Sequence, residues 1–468
     1  MDIRITKKDI IWSYLAQFFN LATGLITLPL ILKLFTPEEV GFNYVLISIN
    51  SIVVLFDMGF SGQFSRYLTY IFSGAQKILK EGIPDSYSEN INEHLLACTI
   101  ETAKRIYLYI SLSSLICLLS LGSWYAYSIT EGFSIIDNAH IVWVIFCISS
   151  FFNIYYLYYN AFLQGKGLIK ESRQAQVFSR ICYILIIFVM ILLGCGLLSV
   201  VVANLISPFI FRFIAFRKFF TKDIVAIISN NHIEKSEIKD TFLILFFNAK
   251  KMGFIGILSS ALGYASTLVI GKYMSLSDVG SYGLMVQLVG IVAGLATIHY
   301  QSIAPEVANL MVKHDSRTLK TKYGFSVFVF AVVFISGFIL LLIAPVIFER
   351  LKFNTHLPSY SIIIFYCIYK FFEQNQSIYS NLFLINNDFR FYPAAITTGI
   401  LSFICLYGSL LCGMGLLGVV LSQAIPLFAY SAWKWPIEAT RYFNINTKND
   451  IIVSPILQIK NKIYGQYF

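Results

Sequence analysis

The chain has 468 residues, of which 57% are hydrophobic and only 13% charged, with a formal net charge of +10. Soluble domains carry roughly 25% charged residues, so composition excludes a water-soluble fold and, with it, the compact basic domain that nucleic-acid binding needs. The eight cysteines, among them Cys117, Cys147, Cys182, Cys367 and Cys405, show no metal-ligand spacing and read as small packing residues.

Apolar runs of about 20 residues, each long enough to cross roughly 30 Å of hydrocarbon, recur along the whole chain. In the first half they fall at 10–32, 42–64, 106–128, 140–163, 176–194 and 197–216. In the second they fall at 250–271, 280–302, 324–348, 359–385, 392–412 and 415–435. The pattern predicts an all-α integral membrane protein, with twelve transmembrane helices in two pseudo-symmetric six-helix lobes. The lobes span 1–216 and 250–440, with a polar connection at 217–249 and a tail at 441–468. The first run is longer than the core of a signal peptide and leads directly into further spans.

Charge between the spans sets the expected orientation. Lys and Arg collect in the N-terminal tail (Arg4, Lys7, Lys8), the second loop (Lys77, Lys80, Lys104, Arg105) and the fourth (Lys166, Lys170, Arg173). They recur in the connection (Arg217, Lys218, Lys222, Lys235, Lys239) and the eighth loop (Lys313, Arg317, Lys320, Lys322). The opposite loops hold only Lys33, Lys272, Arg350 and Lys352. By the positive-inside rule both termini are expected on the cytoplasmic side. The net positive charge follows from that asymmetry.

The two halves echo one another. Leu192 to Val201 reads LLGCGLLSVV and Leu411 to Val420 reads LCGMGLLGVV, with seven of ten positions identical. ILKLFTPEEVGF from Ile31 is echoed by IGKYMSLSDVGS from Ile270, aligning Lys33 with Lys272, Glu39 with Asp278 and Gly41 with Gly280. Halves with an even number of spans are parallel repeats, as in carriers whose lobes rock around a central site. The offset between echoes shrinks by about 20 residues, which places an insertion near Ser73 to Glu101.

Ionisable groups inside spans cost roughly 2.5–3.5 kcal/mol each and so mark cavities or partnerships. Asp57, in VVLFDMGFSGQFSR, is a candidate ion-coupling carboxylate for a proton or sodium, or a carboxylate capped by helix ends. Lys370 and Glu373 share one helical face; they form a structural ion pair, or one that opens to an anionic substrate, with Glu373 also an ion-coupling candidate. Arg66 and Arg212 lie towards span ends, where such side chains line an anionic entrance or snorkel to the interface. Lys250 and Lys251 are cavity candidates if the preceding FLILFFN is embedded. Tyr155, Tyr156, Tyr158 and Tyr159, with Asn153 and Asn160, form either a sugar-stacking surface or an interfacial belt. Gln17 and Asn20 suggest a polar lining in the first span, and Pro29 a kink. No phosphate-binding glycine loop, Asp-x-Asp pair or metal-spaced histidine cluster is present in the sequence, so neither enzymatic catalysis nor a cofactor is expected.

The junction NLATGLITLPLILKLFTPEEVGFNYVL, the loop FLQGKGLIKESRQAQ and the pair LLGCGLLSVVVANLISPFI together resemble the Wzx-type O-antigen and polysaccharide flippases of the MOP exporter superfamily. That superfamily also contains MATE exporters and lipid II flippases. The resemblance covers 1–440 and implies a V-shaped pair of six-helix lobes in the bacterial inner membrane. It implies an undecaprenyl-diphosphate-linked oligosaccharide as substrate, cationic cavity residues for the diphosphate and an ion gradient (H+ or Na+) as the drive. It further implies a polysaccharide polymerase and a chain-length regulator as partners. Lipid II flippases add two further spans that this sequence lacks, which favours an oligosaccharide. A MATE-like exporter of organic cations is the alternative, with Asp57 and Glu373 supplying an anionic cavity. A membrane glycosyltransferase or polymerase would need a larger external loop than the sequence offers.

Overall fold

In a computed structural model, residues 7–79, 88, 90–312, 315–385, 388 and 390–464 are described. Every regular element among them is helical. Ten helical stretches are long and apolar enough to cross a membrane, from Leu15–Leu34 to Gly415–Tyr442. The chain divides into two compact units, 1–264 and 265–468.

The first unit contains α1 (Lys7–Leu34), α2 (Pro37–Val54), α3 (Phe60–Phe72), α4 (Glu93–Cys117), α5 (Ser123–Ile129) and α6 (Ala139–Tyr155). It continues with α7 (Tyr158–Gly165), α8 (Ile169–Leu192), α9 (Leu198–Phe219), α10 (Lys222–Asn230) and most of α11 (Lys235–Tyr273). Helix α8 packs along both α1 and α9, and α3 packs against α7. The α3–α7 approach depends on Gly165, where an added Cβ would lie 2.8 Å from the Ser65 carbonyl oxygen.

The second unit holds α12 (Leu276–Val312), α13 (Ser316–Leu341), α14 (Ala344–Arg350) and α15 (Tyr360–Ile385). It ends with α16 (Tyr392–Leu411), α17 (Gly415–Pro426), α18 (Ala432–Tyr442) and α19 (Ser454–Tyr464). Helix α15 is continuous, but the run Lys370, Glu373, Gln374, Asn375 and Gln376 makes it more polar than the ten stretches above.

The sequence echoes reappear as matched local structure. Thr36 and Glu39 form a capping box: the Glu39 N–H donates to Thr36 Oγ1 at 3.2 Å, and the Thr36 N–H to Glu39 Oε2 at 2.9 Å. Ser275 and Asp278 repeat it, at 3.1 and 3.2 Å. In the second echo, Gly194 and Gly196 have φ of 74° and 50°, and their counterparts Gly413 and Gly415 have 69° and 59°. Glycine occupies that left-handed region without a Cβ clash, so both halves turn at the same place by the same device. Within the first unit the two echoed motifs touch, because Glu39 Oε1 also accepts the Leu197 N–H at 3.2 Å.

Two expected spans of the first unit are broken. The run 42–64 is interrupted after α2 by a 3-10 turn, Leu55–Asp57, and by left-handed Met58 and Gly59. The run 140–163 is interrupted between α6 and α7 at Tyr156 and Leu157. In both places the apolar run continues through the break, so hydropathy does not reveal it.

Candidate functional site: a cationic track beside a tyrosine cluster

Polar and charged groups of the first unit concentrate at these two breaks. Asp57 is buried at 8% exposure. Its carboxylate accepts the Tyr107 hydroxyl at 2.5 Å, the Ser61 hydroxyl at 2.9 Å and the Ser61 N–H at 3.2 Å. The α11 backbone closes over the same break: a Cβ at Gly253 would lie 2.7 Å from Met58 Cα. Asp57 thus satisfies the start of α3, and its lone pairs are largely engaged.

The second break carries the tyrosines. Tyr156 and Tyr159 stack at 5.4 Å with an interplanar angle of 7°. Tyr158 contacts Tyr159 at 4.8 Å and Tyr107 at 5.7 Å. The rings Tyr107, Tyr158, Tyr159 and Tyr156 therefore form a continuous series starting at Asp57. Tyr158 and Tyr159 are buried, which is a packed cluster rather than an interfacial belt. A cavity of about 310 Å3 opens beside them, lined by Lys104, Tyr158, Tyr159, Phe216 and Phe220 among others.

At the far end of the tyrosine series stands Arg212. Its guanidinium carbon is 5.0 Å from the Tyr156 ring centre and 4.4 Å from that of Phe209. One terminal nitrogen donates to Asn153 Oδ1 at 2.7 Å, and the other has no partner. The side chain is 6% exposed, so the snorkelling reading of this arginine is incorrect. The Tyr156 ring, from the α6–α7 break, and the Phe209 ring of α9 flank it before it reaches the span end.

A second cation was not singled out in the sequence. Arg180 lies in the interior of α8 and is exposed. Seven residues separate it from Arg173, so both occupy one face of the helix, with Gln176 between them accepting from Arg173 at 3.0 Å. The Ser179 hydroxyl donates to the Ser207 carbonyl at 2.8 Å and sets the register of α8 against antiparallel α9. By that register Arg180 lies about 9 Å further along the helix pair than Arg212. Among the described residues no carboxylate forms an ion pair with Arg180 or Arg212. An exposed arginine at such depth needs a wetted face.

The other sequence candidates do not join this group. Arg66 is exposed and donates to Gln63 Oε1 at 2.6 Å. Lys250 is exposed, with its ammonium 5.4 Å from the Phe247 ring centre. Gln17 and Asn20 are exposed on α1. The side chain of Lys251 lies outside the described residues, as do Arg4, Lys80 and Lys313. Asn160 accepts the Ser172 hydroxyl at 2.7 Å and ties α7 to α8. In the second unit Lys370 pairs with Glu373, which also accepts from Gln374 at 3.2 Å. That pair is half-buried and neutral. No group of three or more metal-ligating side chains occurs among the described residues.

A duplicated helix junction and ten membrane-length helices among the described residues define a multi-pass membrane protein. No protein-family model and no curated protein matches the chain. Solved structures do. A lipid II flippase, MurJ, in an inward closed conformation matches at TM-score 0.66 and 15% identity, over 98% of this chain and 93% of that one. An inward-facing multidrug MATE transporter of the MOP superfamily matches at 0.61 and 14%, over 94% and 98%. A MOP superfamily transporter from Pyrococcus furiosus, described as having a binding pocket of reverse polarity, matches at 0.53 and 13%, over 93% and 94%. The chain shares its fold with these structures.

Proposed function

We propose that this chain is a flippase, a transporter rather than an enzyme, for an undecaprenyl-diphosphate-linked oligosaccharide of O-antigen, capsule or exopolysaccharide type. Lobes 1–216 and 250–440 alternate access across the bacterial inner membrane, with both termini cytoplasmic. The observation that carries the reading is Arg212, a buried guanidinium with an unpartnered N–H and, among the described residues, no carboxylate counter-ion. A buried charge without an opposite partner is costly, and a diphosphate oxygen is the acceptor a planar guanidinium fits best. Arg180 and Arg173 extend the positive track, and Asn153 with Tyr156 offers hydrogen bonding and a stacking face to the first sugar. The fold shared with a lipid II flippase agrees with a lipid-linked substrate.

A MATE-like exporter of organic cations would want exposed negative charge. Asp57 is engaged by Tyr107 and Ser61, and Glu373 is neutralised by Lys370, which favours the anionic substrate. Asp57 remains the ion-coupling candidate for H+ or Na+, with Glu373 second. A polymerase and a chain-length regulator would take the product on the outer face. Deleting the gene is expected to trap the undecaprenyl-linked repeat unit on the cytoplasmic face and leave susceptibility to organic cations unchanged. Normal surface polymer in the deletion strain, without a redundant flippase, defeats the proposal.

A further inference from the structure

The segment after the last span is not an extended tail. Left-handed Asn444 (φ 52°) turns the chain at the end of α18. Asn446 Oδ1 then accepts the Asn449 N–H at 3.0 Å, while Asp450 Oδ2 accepts the Asn446 N–H at 2.7 Å. This reciprocal cap starts a wide helical turn, Thr447–Val453, that runs into α19. Its inner face is fixed to α13, where an added Cβ at Gly324 would collide with the Asp450 carbonyl. Ile451 and Pro455 are buried there.

Two landmarks place this helix at the level of the membrane boundary. On α13, Lys322 is the last charge before an uncharged stretch of 26 residues, 323–348. Its part within α13, residues 323–341, is about 28 Å long and just covers the roughly 30 Å hydrocarbon core. Gly324, which holds Asp450, therefore lies at the edge of that core. On α18, Trp433 and Tyr442 are 50% and 49% exposed beside Lys434 and Arg441. Exposed Trp and Tyr next to cations are the usual marker of the headgroup region.

At that depth the helix keeps an uncovered apolar stripe. Ile452, Val453, Ile456 and Leu457 lie on one side and are 48%, 40%, 49% and 50% exposed. Ser454 and Gln458 lie on another, joined by a hydrogen bond of 3.2 Å. Lys448, Lys460 and Lys462 outnumber the one acid, Asp450. The surplus charge opposes pairing with a second copy of the same helix and suits an anionic surface. We infer that residues 447–464 form an in-plane interfacial helix whose stripe Ile452, Val453, Ile456 and Leu457 inserts among anionic phospholipids, tethering the end of α13 to the membrane surface.

The test uses the full chain, reconstituted in vesicles of phosphatidylethanolamine and phosphatidylglycerol, with a benzophenone side chain at position 456 or 458. These positions point to opposite sides of the helix. Capture of phospholipid about five-fold or more above the Gln458 position is expected at Ile456. A control doubly substituted Ile456→Asp and Leu457→Asp is expected to exchange backbone hydrogens in 447–464 about ten-fold faster, with the spans unchanged. Capture of a second copy, of this chain's own spans, or equal lipid capture at both positions overturns the inference, as does unchanged exchange in the double variant.

Discussion

Arg212 donates to Asn153 Oδ1 across 2.7 Å, and that neutral amide oxygen is the one hydrogen-bond acceptor it meets among the described residues. A structural arginine in a membrane would be expected to have an acid beside it. The account therefore predicts that Arg212→Met leaves thermal stability unchanged or raises it, by up to about 4 kcal/mol, as seen when buried ionic groups are replaced by apolar ones. Arg212→Lys should not restore function, because an ammonium lacks the planar face set against Tyr156 and Phe209. Detergent-solubilised melting curves together with flipping rates check both statements. A large loss of stability in the Met variant would make Arg212 a structural residue.

Tyr107→Phe removes the 2.5 Å donor to Asp57 while keeping the ring that contacts Tyr158. A hydrogen bond to a charged group contributes about 1.5–3 kcal/mol. Destabilisation of that size is expected in a melting assay, with Asp57→Ala worse than Asp57→Asn. The amide still accepts from Ser61; the methyl leaves three donors unanswered. Equal stability of the Asn and Ala variants would show that the carboxylate does not hold the break between α2 and α3.

Lys370 and Glu373 should behave as a unit. Truncating either partner strands a half-buried charge and is expected to cost about 1–3 kcal/mol. The double variant K370M/E373M should lie within about 1 kcal/mol of the unmodified protein. A double-mutant cycle in detergent measures the coupling. Additive single effects would mean that the pair is not formed in the folded protein.

Outside the spans, Arg390 donates through Nε to Asp388 at 2.7 Å and through Nη1 to Glu438 at 3.1 Å, over the rings of Phe383 and Tyr442. The Arg390 hydrogen bond holds the Asp388 carboxyl below its ordinary value. A depressed carboxylate stabilises the fold fully above its unfolded pKa, about 3.9, and loses that contribution as pH falls through the folded value. Melting temperature should thus show no Asp388-dependent change between pH 7 and pH 5, and Asp388→Asn should flatten the fall below about pH 4. Arg390→Lys is expected to lose about 0.5–1 kcal/mol, the scale of exposed pairs, because it forfeits the forked geometry. A pH profile identical in Asp388→Asn would contradict the assignment.

Much of this architecture was legible in the sequence because it is local. The caps at Thr36 and Ser275 and the turning glycines at 194, 196, 413 and 415 are dictated by residue types at fixed spacing, and both echoes carry them. The breaks at Met58 and Tyr156 were not legible, since apolar periodicity continues through them. The burial of Arg212 was not legible from its place near a span end, because the groups that cover it are distant in sequence or specific to the fold. Asn153 stands 59 residues away in sequence, and the Tyr156 ring comes from the α6–α7 break. Arg180 did leave a signal: its seven-residue spacing from Arg173 places two arginines on one face of a membrane helix, a pattern hydropathy averages away.

The central claim is that Arg212 recognises a diphosphate during translocation. The most direct measurement is flipping of a fluorescent undecaprenyl-diphosphate-linked oligosaccharide in vesicles containing the full chain, compared with Arg212→Gln at matched insertion. The account predicts a loss of at least about 30-fold in the Gln variant, a little over 2 kcal/mol and within the range for a hydrogen-bonded charge pair. Flipping of the diphosphate lipid at the unmodified rate by Arg212→Gln would contradict it.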